Sequence, residues 1–233
     1  MEIVGAAPPT VAQIRERHDR LLSRLRAVAE DNGHDPERLR IVGVTKTWAV
    51  EVVRAAGAAG LTRLGESRVQ EAEPKVAAVS GVEWHFIGRL QSNKARRVVR
   101  AFGVIHSVDS LDLLRRLKEM AVEEGRSPQL LIQANVTGEA AKAGMAPEAL
   151  LAAAGELQDA QVIGLMTMAH MGASEDEARA TFARLRELRD RLREATGIGL
   201  PELSMGMSAD AEAAAAEGAT LVRIGTAIFG PRA

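Results

Sequence analysis

What most constrains this chain is an eightfold alternation. Short runs rich in β-branched and apolar residues recur along it, separated by stretches with helical spacing. The runs are RIVGVTK (40–46), LTRLGE (61–66), VEWHFIG (82–88), FGVIHSVD (102–109), QLLIQANV (129–136), QVIGLMTMA (161–169), ELSMGMS (202–208) and TLVRIGTAIFG (220–230). Their composition is that of strands buried on both faces, as in parallel sheets. Every gap between them is long enough for a crossover helix. An amphipathic helix precedes the first run, with Val11, Ile14, Leu21, Leu22, Leu25 and Val28 at helical spacing from a Thr10 cap to Ala29. Ser67 with Gln70 and Ser174 with Glu177 have the spacing of capping boxes, Pro147 suits a first helical turn, and Gly125 and Gly218 suit helix stops.

Eight β-α repeats with no low-complexity linker predict an α/β chain closed into a single (β/α)₈ TIM barrel with an extra N-terminal helix, one domain over residues 1–233. A doubly wound sheet would carry a glycine-rich phosphate fingerprint after its first strand. Here that strand runs into Thr45-Lys46-Thr47-Trp48, and the GIG at 197–199 has neither the third glycine nor a preceding strand.

Composition removes several function classes. There is no cysteine, so disulfides, thiolate nucleophiles and cysteine-ligated metals are out. A net charge of -1 gives no global basic field for nucleic acid. The one basic stretch, SNKARRVVR with Lys94, Arg96, Arg97 and Arg100, lacks interleaved aromatics and is expected to be a solvated helix face. The five histidines show no ligand spacing, so no metal is expected, and His85 and His170 are expected to be pocket or packing residues. The opening MEIVGAAPPT is unlike a signal peptide, and no run approaches the ~18 apolar residues of a membrane span, so a cytoplasmic protein without membrane contact is expected. No long apolar surface run stands out, which suits a monomer.

In a barrel, functional groups gather at the carboxyl ends of the strands. That places Lys46, Glu66, His85, Ser107, Asn135, Met168, Ser208 and Gly225 near one mouth. A lysine in a dry pocket can attack a carbonyl as the free amine and form a Schiff base, whereas one at the rim simply reaches solvent. Gly225-Thr226 after the eighth strand has the outline of a phosphate site: free backbone N–H groups, a glycine that permits close approach, and a hydroxyl. Ser208, and Ser204 behind it, can add hydroxyl donors to that anion. Ser208 would equally cap a helix from Asp210 to Glu217. Arg223 shares the strand face of Gly225 one layer deeper. It would meet either an aromatic ring nitrogen beneath the phosphate or a carboxylate such as Glu66. A carbonyl-seeking lysine, a phosphate cup and an arginine for a ring nitrogen together describe pyridoxal 5′-phosphate (PLP).

The segments VTKT, GESRVQE (65–71), EWHFIGRLQSNK (83–94), GLMTM (164–168), LSMGMSAD and VRIGTAIFG resemble those of the pyridoxal phosphate homeostasis proteins, barrels related to the cofactor domain of alanine racemase. The resemblance covers almost the whole chain. It implies that Lys46 holds the cofactor, that Arg223 faces the pyridine nitrogen, and that Ser208, Gly225 and Thr226 hold the phosphate. It further implies storage and delivery of PLP, to PLP-dependent apo-enzymes among others. Lys142 matches a second lysine that the family links with the cofactor, although a solvated loop lysine would look the same. The family usually has Gly-Glu-Asn-Tyr where this chain has Gly65-Glu66-Ser67-Arg68, which puts one polar contact near the cofactor in doubt.

Two functions follow, a non-catalytic PLP carrier and a racemase-like PLP enzyme. Racemization needs acid–base groups on both faces of the substrate, one of them a tyrosine in alanine racemase. This chain has no tyrosine and ends a few residues after the eighth strand, which favors the carrier. An arginine at the ring nitrogen points the same way, because a cation there disfavors the pyridinium that makes PLP an electron sink. A cofactor-free Schiff-base aldolase would not call for Arg223 in its place.

Overall fold

The computed structural model describes residues 7–139, 142–158 and 161–231. Eight parallel strands close into a barrel in chain order: β1 (Arg40–Val44), β2 (Arg63–Glu66), β3 (Glu83–Phe86), β4 (Val104–Val108), β5 (Gln129–Gln133), β6 (Val162–Met166), β7 (Glu202–Ser204) and β8 (Leu221–Ile224). β8 returns to β1, with Val42 opposite Arg223 and Gly43 opposite Ile224. Each strand is shorter than its sequence run, trimmed at the start in β2 and at both ends in β3 and β4.

The helices are α1 (Val11–Asp31), α2 (Val50–Ala58), α3 (Val69–Ala78), α4 (Ala95–Ala101), α5 (Leu111–Glu123), α6 (Pro147–Ala152), α7 (Ala154–Gln158), α8 (Glu175–Thr196), α9 (Ala211–Ala216) and α10 (Thr226–Phe229). Thr10 with Gln13 and Ser174 with Glu177 form complete capping boxes at α1 and α8. Pro147 opens α6, and Gly125 and Gly218 follow α5 and α9 with positive φ, as expected. Ser67 and Gln70 form no capping box. The residue before α3 is Arg68, which makes no side-chain cap, so Ser67 lies one position too early. The basic stretch is a surface held by ion pairs: Arg96 to Glu123 and Glu124, Arg97 to Glu73, Arg100 to Glu124. No described helix is long and apolar enough to cross a membrane.

The period of two divides each strand between a core under the helices and a barrel interior. Ile41, Leu64, Trp84, Ile105, Ile132, Leu165, Leu203 and Val222 belong to the outer core. A smaller cluster of Val42, Val104, Leu131, Met166 and Leu221 fills the interior. Branched side chains usually fill such an interior. Here His85, His106, Ser204 and Arg223 occupy it as well, all buried.

β6 and β7 pack so closely at Gly164 that a Cβ there would lie 1.9 Å from the Glu202 carbonyl oxygen. Gly164→Ala is expected to cost about 3 kcal/mol in urea unfolding. Gly103→Ala, where nothing lies within 4 Å, should change stability by less than about 1 kcal/mol.

Candidate functional site

Lys46 lies just past β1 on the inward parity of Val42 and Val44. It is half-buried at the carboxyl-end mouth. The flanking backbone is clamped from outside the barrel. Buried Lys75 of α3 donates from Nζ to the Thr45 carbonyl (2.9 Å), Glu66 Oε1 (2.8 Å) and Glu71 Oε1 (2.8 Å). Glu71 accepts the Thr47 N–H, and Thr47 takes a left-handed φ of 68°. A non-glycine residue keeps that conformation only where its surroundings impose it. The clamp therefore fixes both peptides around Lys46. Lys75 and Lys142 are each held by carboxylates. No carboxylate lies within 4.0 Å of the Lys46 amine among the described residues.

Glu66 has the outward parity of Leu64. Its carboxylate faces α3, where Thr45 Oγ1 donates to it at 2.7 Å. Burial pushes its pKa up, against the hydrogen bonds from Lys75 and Thr45, and Oε2 has no partner. Glu66 is thus neither in the mouth nor paired with Arg223, contrary to the two sequence expectations. In Glu71, burial is outweighed by the bonds from Lys75 and the Thr47 N–H, which hold its carboxyl below the ordinary range.

Arg223 is buried in the barrel interior. Nη1 donates to Ser204 Oγ (2.6 Å) and Nη2 to the Thr167 carbonyl (3.0 Å). No carboxylate lies within 4.0 Å of it among the described residues. Burial pulls its pKa down to about 10, so it remains a cation at neutral pH. The Ser204 hydroxyl is engaged by Arg223 and by His106 Nδ1 (2.8 Å). That removes Ser204 from the expected anion cup and makes it a support for the guanidinium.

The cup itself lies at the ends of β7 and β8. A Cβ on Gly225 would sit 3.5 Å from the Val44 carbonyl, so the Gly225 turn lies directly beside the segment that leads to Lys46. The N–H groups of Gly225, Thr226 and Ala227 donate to no backbone carbonyl among the described residues. Ser208 and Thr226 are exposed at the same mouth. Ser208 does not cap α9, which begins at Ala211 after Asp210. Asp210 instead accepts the Met207 N–H at 2.6 Å. Gly206, with φ 87°, turns the chain there, and a Cβ on it would lie 2.5 Å from the Ala214 side chain.

A cavity of about 840 Å³ opens over β5, β6 and β7, walled by Gln133, Asn135, Lys142, Thr167, Met168 and Asp210 among others. Thr167, whose carbonyl anchors Arg223, links this cavity to the buried guanidinium. Lys46 stands to one side, at β1, and is not in its wall. Lys142 bonds Glu139 Oε1 (2.7 Å) and Thr137 Oγ1 (3.3 Å). Met168 is exposed at the rim. Asn135 binds the Glu139 carbonyl and the Gly138 N–H, shaping the loop that carries Lys142.

His85 is not at this mouth. It faces the interior near the strand starts, in a small cavity with Arg40, Arg63, Glu83 and Glu202. Burial lowers the pKa of His85 and drives that of His106 well down. His106, Thr167 and the Lys75 clamp were absent from the sequence-based site. The inward parity of His106 with Val104 in FGVIHSVD was the available signal. Nothing in QEAEPK shows that Lys75 reaches a strand carbonyl. Among the described residues, no group of three or more His, Asp or Glu side chains could hold a metal.

The family model for the alanine racemase N-terminal domain matches residues 19–233. The pyridoxal phosphate homeostasis protein of Pseudomonas aeruginosa is 43% identical over 227 residues, covering 95% of this chain and 97% of that one. Its counterpart in Synechocystis sp. is 42% identical over 203 residues, covering 84% and 93%. The solved structure of PipY from Synechococcus elongatus with PLP bound is similar with a TM-score of 0.82 at 40% identity, covering 93% of this chain and all of that one.

Both interior histidines titrate lower in the folded chain than in the unfolded one. The unfolded chain therefore takes up protons first as pH falls through about 6.5. Stability is fully present above that value. Urea titrations should show it falling from pH 7.5 to 5.5, with a limiting slope of ~1 kcal/mol per pH unit for each histidine. His106→Gln should flatten this dependence.

Proposed function

This chain belongs to the alanine racemase N-terminal-domain family, among its pyridoxal phosphate homeostasis proteins, and from that premise we propose that it binds PLP at the mouth formed by β1, β7 and β8. The observation that carries the proposal is Arg223: a buried cation that, among the described residues, has no carboxylate in contact, beneath the end of the strand whose next turn, Gly225–Ala227, has N–H groups without backbone partners among those residues. A flat ring with an acceptor nitrogen at one edge and a phosphate at another suits this arrangement. When bound, PLP supplies the aldehyde, the ring nitrogen and the phosphate.

The chain's own residues have distinct parts. The Lys46 amine, on a backbone held by the clamp on Thr45 and Thr47, would bond the aldehyde carbon, with the aldehyde oxygen leaving as water. Gly225, Thr226 and Ser208 take the phosphate. Arg223 donates to the ring nitrogen and, being unable to accept, keeps that nitrogen an acceptor. Lys142 and Met168 line the adjacent cavity, where an incoming amine that displaces Lys46 would enter.

The protein is read as a carrier that stores and delivers PLP, with no turnover of its own. Two features support this. The guanidinium at the ring nitrogen disfavors the protonated ring that carbanion chemistry uses, and the chain has no tyrosine to act as a second acid–base group. Delivery to PLP-dependent apo-enzymes and a monomeric, single-domain state belong to the same reading. Exposed large apolar side chains among the described residues are few: Val11, Val122, Met168, Met171 and Met207.

After PLP is added and unbound PLP removed by desalting, the purified protein should retain a visible absorption band that Lys46→Ala lacks. Alanine incubated with the loaded protein in heavy water should keep its α-proton. A protein left colorless after this treatment would overturn the binding site, and rapid α-proton exchange would overturn the carrier reading.

A further inference from the structure

A line of hydrogen bonds crosses the barrel interior from one mouth to the other. Arg223 Nη1 meets Ser204 Oγ at 2.6 Å, Ser204 Oγ meets His106 Nδ1 at 2.8 Å, His106 Nε2 meets His85 Nδ1 at 2.8 Å, and His85 Nε2 meets Glu83 Oε2 at 3.0 Å. The two imidazoles sit edge to face, centroids 5.0 Å apart. Ser204 and His106 are fully buried and His85 nearly so. Glu83 is 44% exposed, in a cavity of about 250 Å³ that opens at the strand starts.

The chemistry of the two ends orients every bond between them. A guanidinium only donates and a carboxylate only accepts. Ser204 must therefore receive from Arg223 and pass its own proton toward His106 Nδ1. His106 then carries its proton on Nε2 and gives it to His85 Nδ1, and His85 carries its proton on Nε2 and gives it to Glu83. No link is left with two donors or two acceptors. We propose that Glu83, at the mouth opposite the PLP site, is a positioning residue for Arg223, and that it acts through this one-way line of donors by fixing the Nε2–H tautomers of His85 and His106.

Burial, which disfavors protonation of both histidines, keeps them in the neutral form the line requires. The charged groups facing its outer end are Arg63, 3.3 Å from Glu83, and Arg40, paired with Glu202 at 2.5 Å. Both arginines favor the Glu83 carboxylate, whose acidity is increased first by the His85 hydrogen bond. If Glu83 no longer accepts, His85 can place its proton on Nδ1. His106 then becomes an Nδ1–H donor, so Ser204 Oγ must accept from both His106 and Arg223 while its own proton loses the His106 acceptor. Two donors then share the Ser204 oxygen, which weakens its bond to Arg223 Nη1 and loosens the guanidinium's rotamer.

The line itself does not depend on PLP; only its consequence for affinity rests on the function proposed above. The test is therefore ¹⁵N NMR of the imidazole and guanidinium groups in the full-length protein without PLP, followed by PLP titration. The wild type should show both His85 and His106 as neutral Nε2–H tautomers and resolved Arg223 Nη resonances. Glu83→Ala should mix the tautomers, broaden the Arg223 signals and raise the PLP dissociation constant about tenfold. Glu83→Gln, which keeps a carbonyl acceptor, should restore the tautomers and bring affinity to within about twofold of wild type. Arg63→Ala removes the 3.3 Å ion pair but not the line, and should leave all three readouts unchanged. An Nδ1–H tautomer at His106 in the wild type would overturn the proposal. So would unchanged tautomers and Arg223 signals in Glu83→Ala, or PLP affinity in Glu83→Ala equal to wild type. A wild type with the expected tautomers that binds no PLP would support the line and overturn the binding site instead.

Discussion

The arrangement turns on a buried cation whose neighbors are a hydroxyl and a carbonyl. Removing a guanidinium from water costs several kcal/mol unless its donors are satisfied and opposite charge is near. Arg223 meets the first condition in part, through Ser204 and Thr167, and has no carboxylate in contact among the described residues. A donor left with spare N–H groups in a barrel interior, where aliphatic side chains would otherwise pack, suits an acceptor in the mouth above it. In the proposed function that acceptor is the ring nitrogen of PLP. The polar residues of the interior follow from this one placement. Ser204 fills the gap below the guanidinium, His106 and His85 carry the bonding downward, and Glu83 provides the distant negative end.

A second constraint acts on Lys46. An amine that must reach one carbon repeatedly needs a fixed backbone, yet Lys46 lies in a turn beyond the end of its strand. Lys75, Glu66 and Glu71 hold that turn from the helix side, using the outward parity of β1 and β2, while the amine proposed to bond PLP has the inward parity. In that proposal, support and chemistry are separated by the simple alternation of a strand. Left-handed Thr47 is where the separation produces strain.

The eight strands were legible because β-branched runs at this spacing have one economical closure. The caps at Thr10 and Ser174 were legible because a hydroxyl three residues before Gln or Glu satisfies helix N–H groups locally. Ser67 and Ser208 carry a similar local signal, and both expectations failed. Arg68 separates Ser67 from α3, and Met207 N–H, not the α9 terminus, takes the Asp210 carboxylate. Lys46, Gly225 and Thr226 could be placed at one mouth, and Arg223 one layer beneath it, from strand ends and parity alone. The same parity, applied to Glu66 and Ser204, would have turned the first outward and placed the second beneath Arg223. The grip of Lys75 on the Thr45 carbonyl left no trace in the sequence, because it joins a helix to a strand through a side chain that reads as ordinary i,i+4 surface charge.

Two lysines stand at this mouth, Lys46 beside the Gly225 turn and Lys142 in the wall of the large cavity. The first is the one proposed to be joined to PLP. Borohydride reduction of the PLP-loaded protein, followed by digestion and mass spectrometry, locates the pyridoxyl group directly. The pyridoxyl group should be on the peptide that contains Lys46. Its recovery on Lys142 or Lys75, with Lys46 unmodified, would contradict that proposal.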